Sequence, residues 1–263
     1  MLRIENLSKT FYPGTVNEKP VIRGLDLHLE PGDFVTVIGS NGAGKSTLFN
    51  LIGGAILPDS GRILLDGEDI TYREEYRRAR TIGRIFQDPM MGTAPSMTVE
   101  ENLSLSYRSA RKGGFGIPKQ DREFFRSQLA RLGLGLEDRM KTPIGMLSGG
   151  QRQAVTLLMC TMVTPKLLLL DEHTAALDPA TAEKVLDLTR EIVAERQITT
   201  MMITHNMASA LKLGNRTIMM DAGRVLLDLS GQERRRMTVP GLLEAFGRQS
   251  GRALDNDRML LEP

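Results

Sequence analysis

Gly39-Ser40-Asn41-Gly42-Ala43-Gly44-Lys45-Ser46 stands between the apolar run Asp33–Ile38 and a helical stretch, Ser46–Gly53. The order strand, glycine-rich loop, helix decides the fold class. Glycines at these positions let successive backbone N–H groups curl around an anion, and the helix N-terminus adds a positive partial charge at the same place. Lys45 supplies a point charge for the β- and γ-phosphate oxygens of a nucleoside triphosphate, and the Ser46 hydroxyl suits Mg2+.

N-terminal to this cradle, Leu2-Arg3-Ile4-Glu5-Asn6-Leu7 alternates apolar and polar residues, and Leu25-Asp26-Leu27-His28-Leu29 does so again before a Pro31-Gly32 turn. Period-two alternation marks half-buried strands, and Arg62–Leu65 adds a short one before Asp66-Gly67. Asp33–Ile38 is instead nearly continuous in apolar residues, as in a strand buried on both faces. C-terminal to Gln87 the period changes. Val99–Arg108, Asp121–Leu132 and Gln151–Val163 carry helical spacing, with a glycine-rich, basic connector at Arg111–Gly116. Leu167–Leu170, Thr200–Thr204 and Thr217–Met220 are then apolar runs separated by helical segments, which predicts a parallel sheet with crossover helices. Met201-Met202 and Met219-Met220 read as core strand residues rather than metal ligands. The expected class is α/β: a mixed, largely parallel sheet core, an N-terminal antiparallel β subdomain, and a helical subdomain inserted at about 88–162. A single unit is expected over 1–230, and 231–263 reads as a short C-terminal extension with one helix near Gly241–Phe246.

Thirty-four basic and 32 acidic residues leave a net charge of +2, which gives no sign of a nucleic-acid tail. The single Cys160 excludes an internal disulfide and a cysteine-rich metal site. It reads as a small buried hydrophobe. The first residues are too polar for a signal peptide, and no run approaches the roughly 18 uncharged apolar residues of a membrane helix. If the chain serves transport, the pore belongs to another polypeptide.

Leu167-Leu168-Leu169-Leu170-Asp171-Glu172 delivers two carboxylates to the end of a buried strand, where open α/β sheets bind ligands. Asp171 suits Mg2+, directly or through water, and Glu172 suits a general base that polarises an attacking water. Taken alone, the pair is equally a helix cap. Leu147-Ser148-Gly149-Gly150-Gln151 repeats the chemistry of the cradle ahead of another helix: a serine cap, glycine N–H groups and an anion-ready helix N-terminus. One chain has no need of two cradles for one nucleotide.

In their order, Gly39–Ser46, Gln87, Leu147–Gln151, Leu167–Glu172 and His205 resemble the nucleotide-binding subunit of an ABC transporter, from about Ile4 to about Leu226. The resemblance implies a P-loop NTPase of the RecA-like kind, with ATP as nucleotide and Mg2+ as cofactor. Gly39, Asn41, Gly42, Ala43, Gly44, Lys45, Ser46 and Thr47 then cradle the triphosphate. It gives Gln87 contact with Mg2+ and the nucleophilic water, and gives His205 reach to the γ-phosphate. Phe11 stacks on adenine, although the Pro13–Lys19 loop leaves its neighbour Tyr12 open for that role. In a head-to-tail dimer, Ser148, Gly149, Gly150 and Gln151 close on the nucleotide of the opposite subunit, with Ser148 and Gly150 making the contacts. Such a two-fold dimer has two identical composite sites. Asp178 belongs to the loop by which each subunit senses its neighbour's site. One position departs from the family, which usually reads Asp-Glu-Pro-Thr where this chain has Asp171-Glu172-His173-Thr174. His173 adds a titratable group beside the base; a spectator role is the plainer reading.

The partners implied are a second ATP-binding subunit, as in a homodimer, a polytopic membrane permease, and an extracytoplasmic binding protein acting through the permease. Nucleic acid is not among them. The expected location is the cytoplasmic face of the cell membrane, peripherally held. Two alternatives stand beside this: a non-transport ABC ATPase working on nucleic acid or ribosomes, and an exporter motor. The stretch from Gln87 to Leu147 carries no heptads and the chain has one cassette, which argues against the first. Gln87–Pro95 and Asp171–Pro179 resemble bacterial cassettes found with a lipoprotein binding subunit and a branched-chain-amino-acid-type permease, for which aromatic amino acids are the suggested cargo. Met90–Met97 is the stretch expected to face the permease; its methionines suit either an adaptable docking surface or ordinary packing on the helical insert.

Overall fold

The computed structural model describes residues 1–88, 90–109 and 116–250. Pro89, all but the last residue of the Arg111–Gly116 connector, and the part of the C-terminal extension past 250 lie outside the described residues. From the N-terminus the elements are β1 (Leu2–Phe11), β2 (Lys19–Leu29), β3 (Phe34–Gly39), α1 (Lys45–Gly53), β4 (Ser60–Leu65), β5 (Glu68–Asp69), α2 (Glu75–Arg78) and β6 (Ile82–Ile85). Helices α3 (Val99–Ser109), α4 (Lys119–Ala130) and α5 (Gly149–Thr161) follow, then β7 (Leu167–Asp171) and α6 (Pro179–Arg196). Next come β8 (Thr199–Ile203), α7 (Met207–Lys212), β9 (Arg216–Asp221), β10 (Arg224–Ser230), α8 (Gly231–Arg236) and α9 (Val239–Ser250). The elements divide into two compact units: Met1–Ala79 with the chain from Gln197 onward, and Arg80–Arg196.

In the first unit β2, β1, β4 and β5 form an antiparallel sheet. The register sets Leu2 opposite Leu29 and Leu65, and Ile4 opposite Leu27 and Ile63, so the apolar half of each alternation falls on one buried face. A second set of strands has β3 at its centre, parallel to both β8 and β9, with β10 antiparallel to β9. Every residue of β3 and β8 is buried, as the continuous apolar runs require. Met201, Met202, Met219 and Met220 are core strand residues. Ile38, Met207, Ala210, Met219, Leu229, Leu242 and Phe246 form one apolar cluster. The helix expected near Gly241–Phe246 is therefore part of this core rather than an appendage. Strand β10 and the short helices α2 and α8 had no clear period in the sequence.

In the second unit β6 and β7 pair in parallel, with Ile82 opposite Leu167 and Ile85 opposite Leu170. Helices α3, α4 and α5 enclose Val99, Leu103, Phe125, Leu129, Ile144, Val155 and Leu158. Helix α5 touches both β6 and α6. Its Cys160 thiol donates to Arg84 O over 3.3 Å, and Arg196 of α6 donates to Thr161 O. These contacts explain why the compact unit runs from Arg80 to Arg196, wider than the helical stretch 88–162. Cys160 is half-buried as a residue, and burial of its sulfur pushes the thiol up to about 11. Among the described residues no helix is long and apolar enough to cross a membrane.

Candidate nucleotide site

The cradle is built by close approach of backbone. Gly39 ends β3 at φ 147°, and a β-carbon there would collide with the carbonyl of Met220, whose carbon would lie 3.0 Å away. Gly44 caps α1 at φ 101°, where a β-carbon would stand 2.9 Å from both Val21 O and Ile22 Cδ1. The loop therefore accepts only glycine at its two ends. No side chain caps α1 and no acidic residue occupies its first turn, so the N–H groups there suit an anion. Lys45 is 6% exposed, and its ammonium donates to Gly39 O at 2.7 Å and Ser40 O at 3.0 Å. These bonds hold the charge over the loop. Ser40 Oγ in turn donates to Asp221 at the end of β9 over 2.9 Å. Asn41, Gly42 and Ser46 are exposed, Thr47 is half-buried, and Ala43 is buried, with its carbonyl accepting from Gly223 N. The far end of α1 is fixed too. Arg78, almost wholly buried, donates to Leu51 O, Ile52 O, Thr71 O and Arg73 O at 2.7–2.9 Å. A guanidinium on the last carbonyls complements the helix dipole.

Two other expected residues share this unit. Phe11 is the last, half-buried residue of β1, and Lys9 Nζ lies 6.0 Å from its ring centre. Tyr12, at φ 53° in the following turn, is 67% exposed, with its ring 6.5 Å from that of Phe11. His205 is half-buried between β8 and α7. Its flanks are fixed: Thr204 N donates to Val37 O, and Asn206 caps α7 by accepting from Ser209 N at 2.7 Å.

The second unit carries the rest. Asp171 is buried at the end of β7 with Arg84 Nη2 3.8 Å from its carboxylate, and Arg84 stacks 4.5 Å over Phe86. Glu172 follows at φ 46°, a left-handed backbone that costs a non-glycine residue about 1–2 kcal/mol. Such strain collects at functional sites because surrounding structure must hold it. Gln87 is exposed in a bend after β6. The oxygens of Ser46, Gln87 and Asp171 are hard donors of the kind Mg2+ takes, and among the described residues no cluster of three His, Cys, Asp or Glu side chains would hold it alone.

Ser148 caps α5 in a reciprocal box: Gln151 N donates to Ser148 Oγ and Ser148 N to Gln151 Oε1, both at 3.3 Å. Arg152 secures the approach by donating to the carbonyls of Gly145 and Leu147. The structure brings this motif against the start of α6. A β-carbon on Gly149 would meet Leu177 Cδ2 at 3.1 Å, and one on Gly150 would collide with Thr181. Asp178 caps α6 through Thr181 N at 3.1 Å, and the Thr181 hydroxyl and N–H hold its carboxyl below the usual range. His173 is 3% exposed and 3.2 Å from Thr189 of α6; burial pushes its imidazole down to about 4. It is neutral at neutral pH. Thr181, Thr189 and Asp221 had no signal in the sequence, since each acts through a neighbour distant along the chain.

The model of a family described as ABC transporter matches residues 22–175, more than half of the chain. The chain belongs to the ABC transporter family. As a family member it is an ATP-binding subunit whose ATP hydrolysis is coupled to transport. It is 44% identical to the tyrosine transport ATP-binding protein of Clostridioides difficile, over 94% of this chain and 98% of that protein. It is 36% identical to methionine import ATP-binding protein MetN 2 of Enterococcus faecalis, over 86% of this chain and 64% of that one. Among solved structures, the ATP-binding cassette MJ0796 in a dimeric, post-hydrolysis state with ADP and Pi superposes with a TM-score of 0.76 at 28% identity. That match covers 88% of this chain and 98% of the other. The α/β P-loop fold read from the sequence is the fold of these cassettes.

Proposed function

We propose that the chain is the motor of a bacterial uptake system for an amino acid, aromatic in class, and that the residues singled out above carry its ATP cycle. The observation that carries the reading is the Lys45 ammonium, held at Gly39 O and Ser40 O in front of an uncapped helix N-terminus. There the backbone of Gly39–Ser46 and Thr47 binds the triphosphate, and Phe11 stacks on the base. Ser46, Gln87 and Asp171 hold Mg2+, which when bound neutralises charge on the phosphate oxygens. Glu172 takes the proton of the attacking water, and His205 donates to the γ-phosphate. Ser148, Gly149, Gly150 and Gln151 face the ATP of a second copy, with Asp178 at the joint. ATP binding therefore favours the closed dimer, and hydrolysis removes that preference.

Support for the partners and cargo comes from the relatives. The tyrosine-transport relative matches almost end to end, which supports an aromatic amino acid. The dimeric state of MJ0796 supports a homodimer. A separate permease supplies the pore, with the cassette peripheral on its cytoplasmic side, and an extracytoplasmic binding protein delivers the cargo. Met91, 68% exposed in the Met90–Met97 segment, supports docking of the permease there.

Glu172→Gln tests the core of the reading. The variant should bind ATP, hydrolyse it about 10²–10⁴-fold more slowly, and run as a dimer in ATP on gel filtration. Full turnover would remove Glu172 as the base. Reconstitution with the membrane permease that co-purifies with the chain, followed by uptake of labelled tyrosine, tests the cargo.

A further inference from the structure

His173 is a buried imidazole for which the ATP cycle above has no use. Its Nε2 lies 3.2 Å from Thr189 Oγ1, and that hydroxyl donates its only proton to Val185 O at 2.7 Å. Thr189 can therefore only accept, so the ring must carry its hydrogen on Nε2. Thr189 is itself buried, well along α6 from its start at Pro179. The side chain of His173 thus reaches past the turn in which it sits and fastens that turn to the following helix. Within the turn, Ala175 N donates to Glu172 O at 2.9 Å and Leu177 N to Thr174 O at 3.1 Å, while Asp178 caps α6 through Thr181 N. Backbone bonds close the turn on itself, and the imidazole ties its second residue to the third turn of α6. Immediately before it, Glu172 holds a left-handed backbone at φ 46°, which relaxes unless its neighbours fix it.

We propose that His173 is a positioning residue for hydrolysis: its Nε2–H to Thr189 clamps the Glu172–Asp178 turn to α6 and holds the Glu172 carboxylate in its working direction. The inference rests on Glu172 being the base. Loss of the clamp removes no hydrogen bond of the nucleotide cradle, because its bonding partners, Thr189 and Val185, lie outside Gly39–Ser46. It lets the base drift, and a misplacement near 1 Å costs about a hundredfold in rate.

The test is steady-state ATPase on the full chain for H173A, T189V, H173A/T189V, H173Q and E172Q, with ATP affinity measured separately. T189V keeps the volume of the threonine and removes the hydroxyl, both the acceptor for His173 and the donor to Val185 O, so it remains informative where H173A fails to fold. H173A and T189V should each lower kcat about ten- to a hundredfold, with KM for ATP within about twofold of wild type. The double variant should fall no further than either single one, as for two residues that share one interaction. H173Q, whose amide nitrogen reaches where Nε2 does, should recover most of kcat. Wild-type kcat in T189V, additive losses in the double variant, or no recovery in H173Q would each overturn the clamp. The two readings separate cleanly: E172Q inactive with T189V fully active overturns the clamp alone, whereas E172Q fully active overturns the base and the clamp with it.

Discussion

A β-carbon added to Gly150 would overlap Cγ2 of Thr181 and stand 3.5 Å from its Cβ, so the glycine of the second anion motif is also the seat of α6. The Leu-Ser-Gly-Gly-Gln stretch thus has a packing role in addition to the nucleotide role proposed for it. G150A should lower stability by about 1–3 kcal/mol through overpacking. T181S, which deletes the colliding methyl and keeps the capping N–H, should return most of that loss. Urea unfolding followed by circular dichroism measures both, since the chain has no tryptophan to report by fluorescence. Equal stability of G150A and wild type would show that α6 yields at this contact.

The cradle glycines should separate by cause. G39A meets the backbone of Met220 and needs φ 147°, so it should cost about 3 kcal/mol or more and abolish ATP binding. Gly42 needs φ 79° but has open space around it, so G42A should cost only about 1–2 kcal/mol and leave the fold intact. Unfolding midpoints of the two variants, side by side, check the ranking.

His173 gives stability an acid limb. Its folded-state pKa is about 4 against 6.5 for the free side chain, through burial. The unfolded chain therefore binds a proton first. Stability on this account is full above pH 6.5, falls as the pH drops from 6.5 to 4, and changes no further below 4. Between pH 7 and pH 5 the wild type should lose about 2 kcal/mol relative to H173Q, which has nothing to titrate there. Urea midpoints of the pair at both pH values decide it; parallel curves would mean that the ring is charged when buried.

Met91 is a test of coupling. M91E places a charge on an exposed side chain of a segment otherwise tied down by Asn102, which bonds Ala94 N and O, Met97 O and Thr98 O. The isolated protein should keep its ATPase rate, while transport by the reconstituted complex should fall at least about tenfold, because a charge buried at the joint has no partner. A matched loss of ATPase in the isolated protein would instead point to damage in the loop itself.

The local chemistry was legible because it lies in contiguous residues. A glycine-rich loop between a buried strand and a helix specifies its own conformation, and Gly39, Gly44 and Lys45 behave as that spacing demands. Strand and helix periods placed most elements, since burial on one face imposes period two or 3.6 wherever the face is continuous. They failed at β10, α2 and α8, which are short or flanked by charge, and they gave no sign of the contacts of α5 with β6 and α6, which join residues far apart in sequence.

By itself the sequence determined the family, the α/β class and the glycine-rich turn between strand and helix, all of which depend on neighbours along the chain. Tertiary structure alone decided why Gly150 must lack a side chain, that the C-terminal helix belongs to the core, and which residue His173 bonds. In the sequence His173 is a departure beside a carboxylate. Folding removes its water and sets Thr189 within hydrogen-bond reach, and these long-range facts make it a neutral donor.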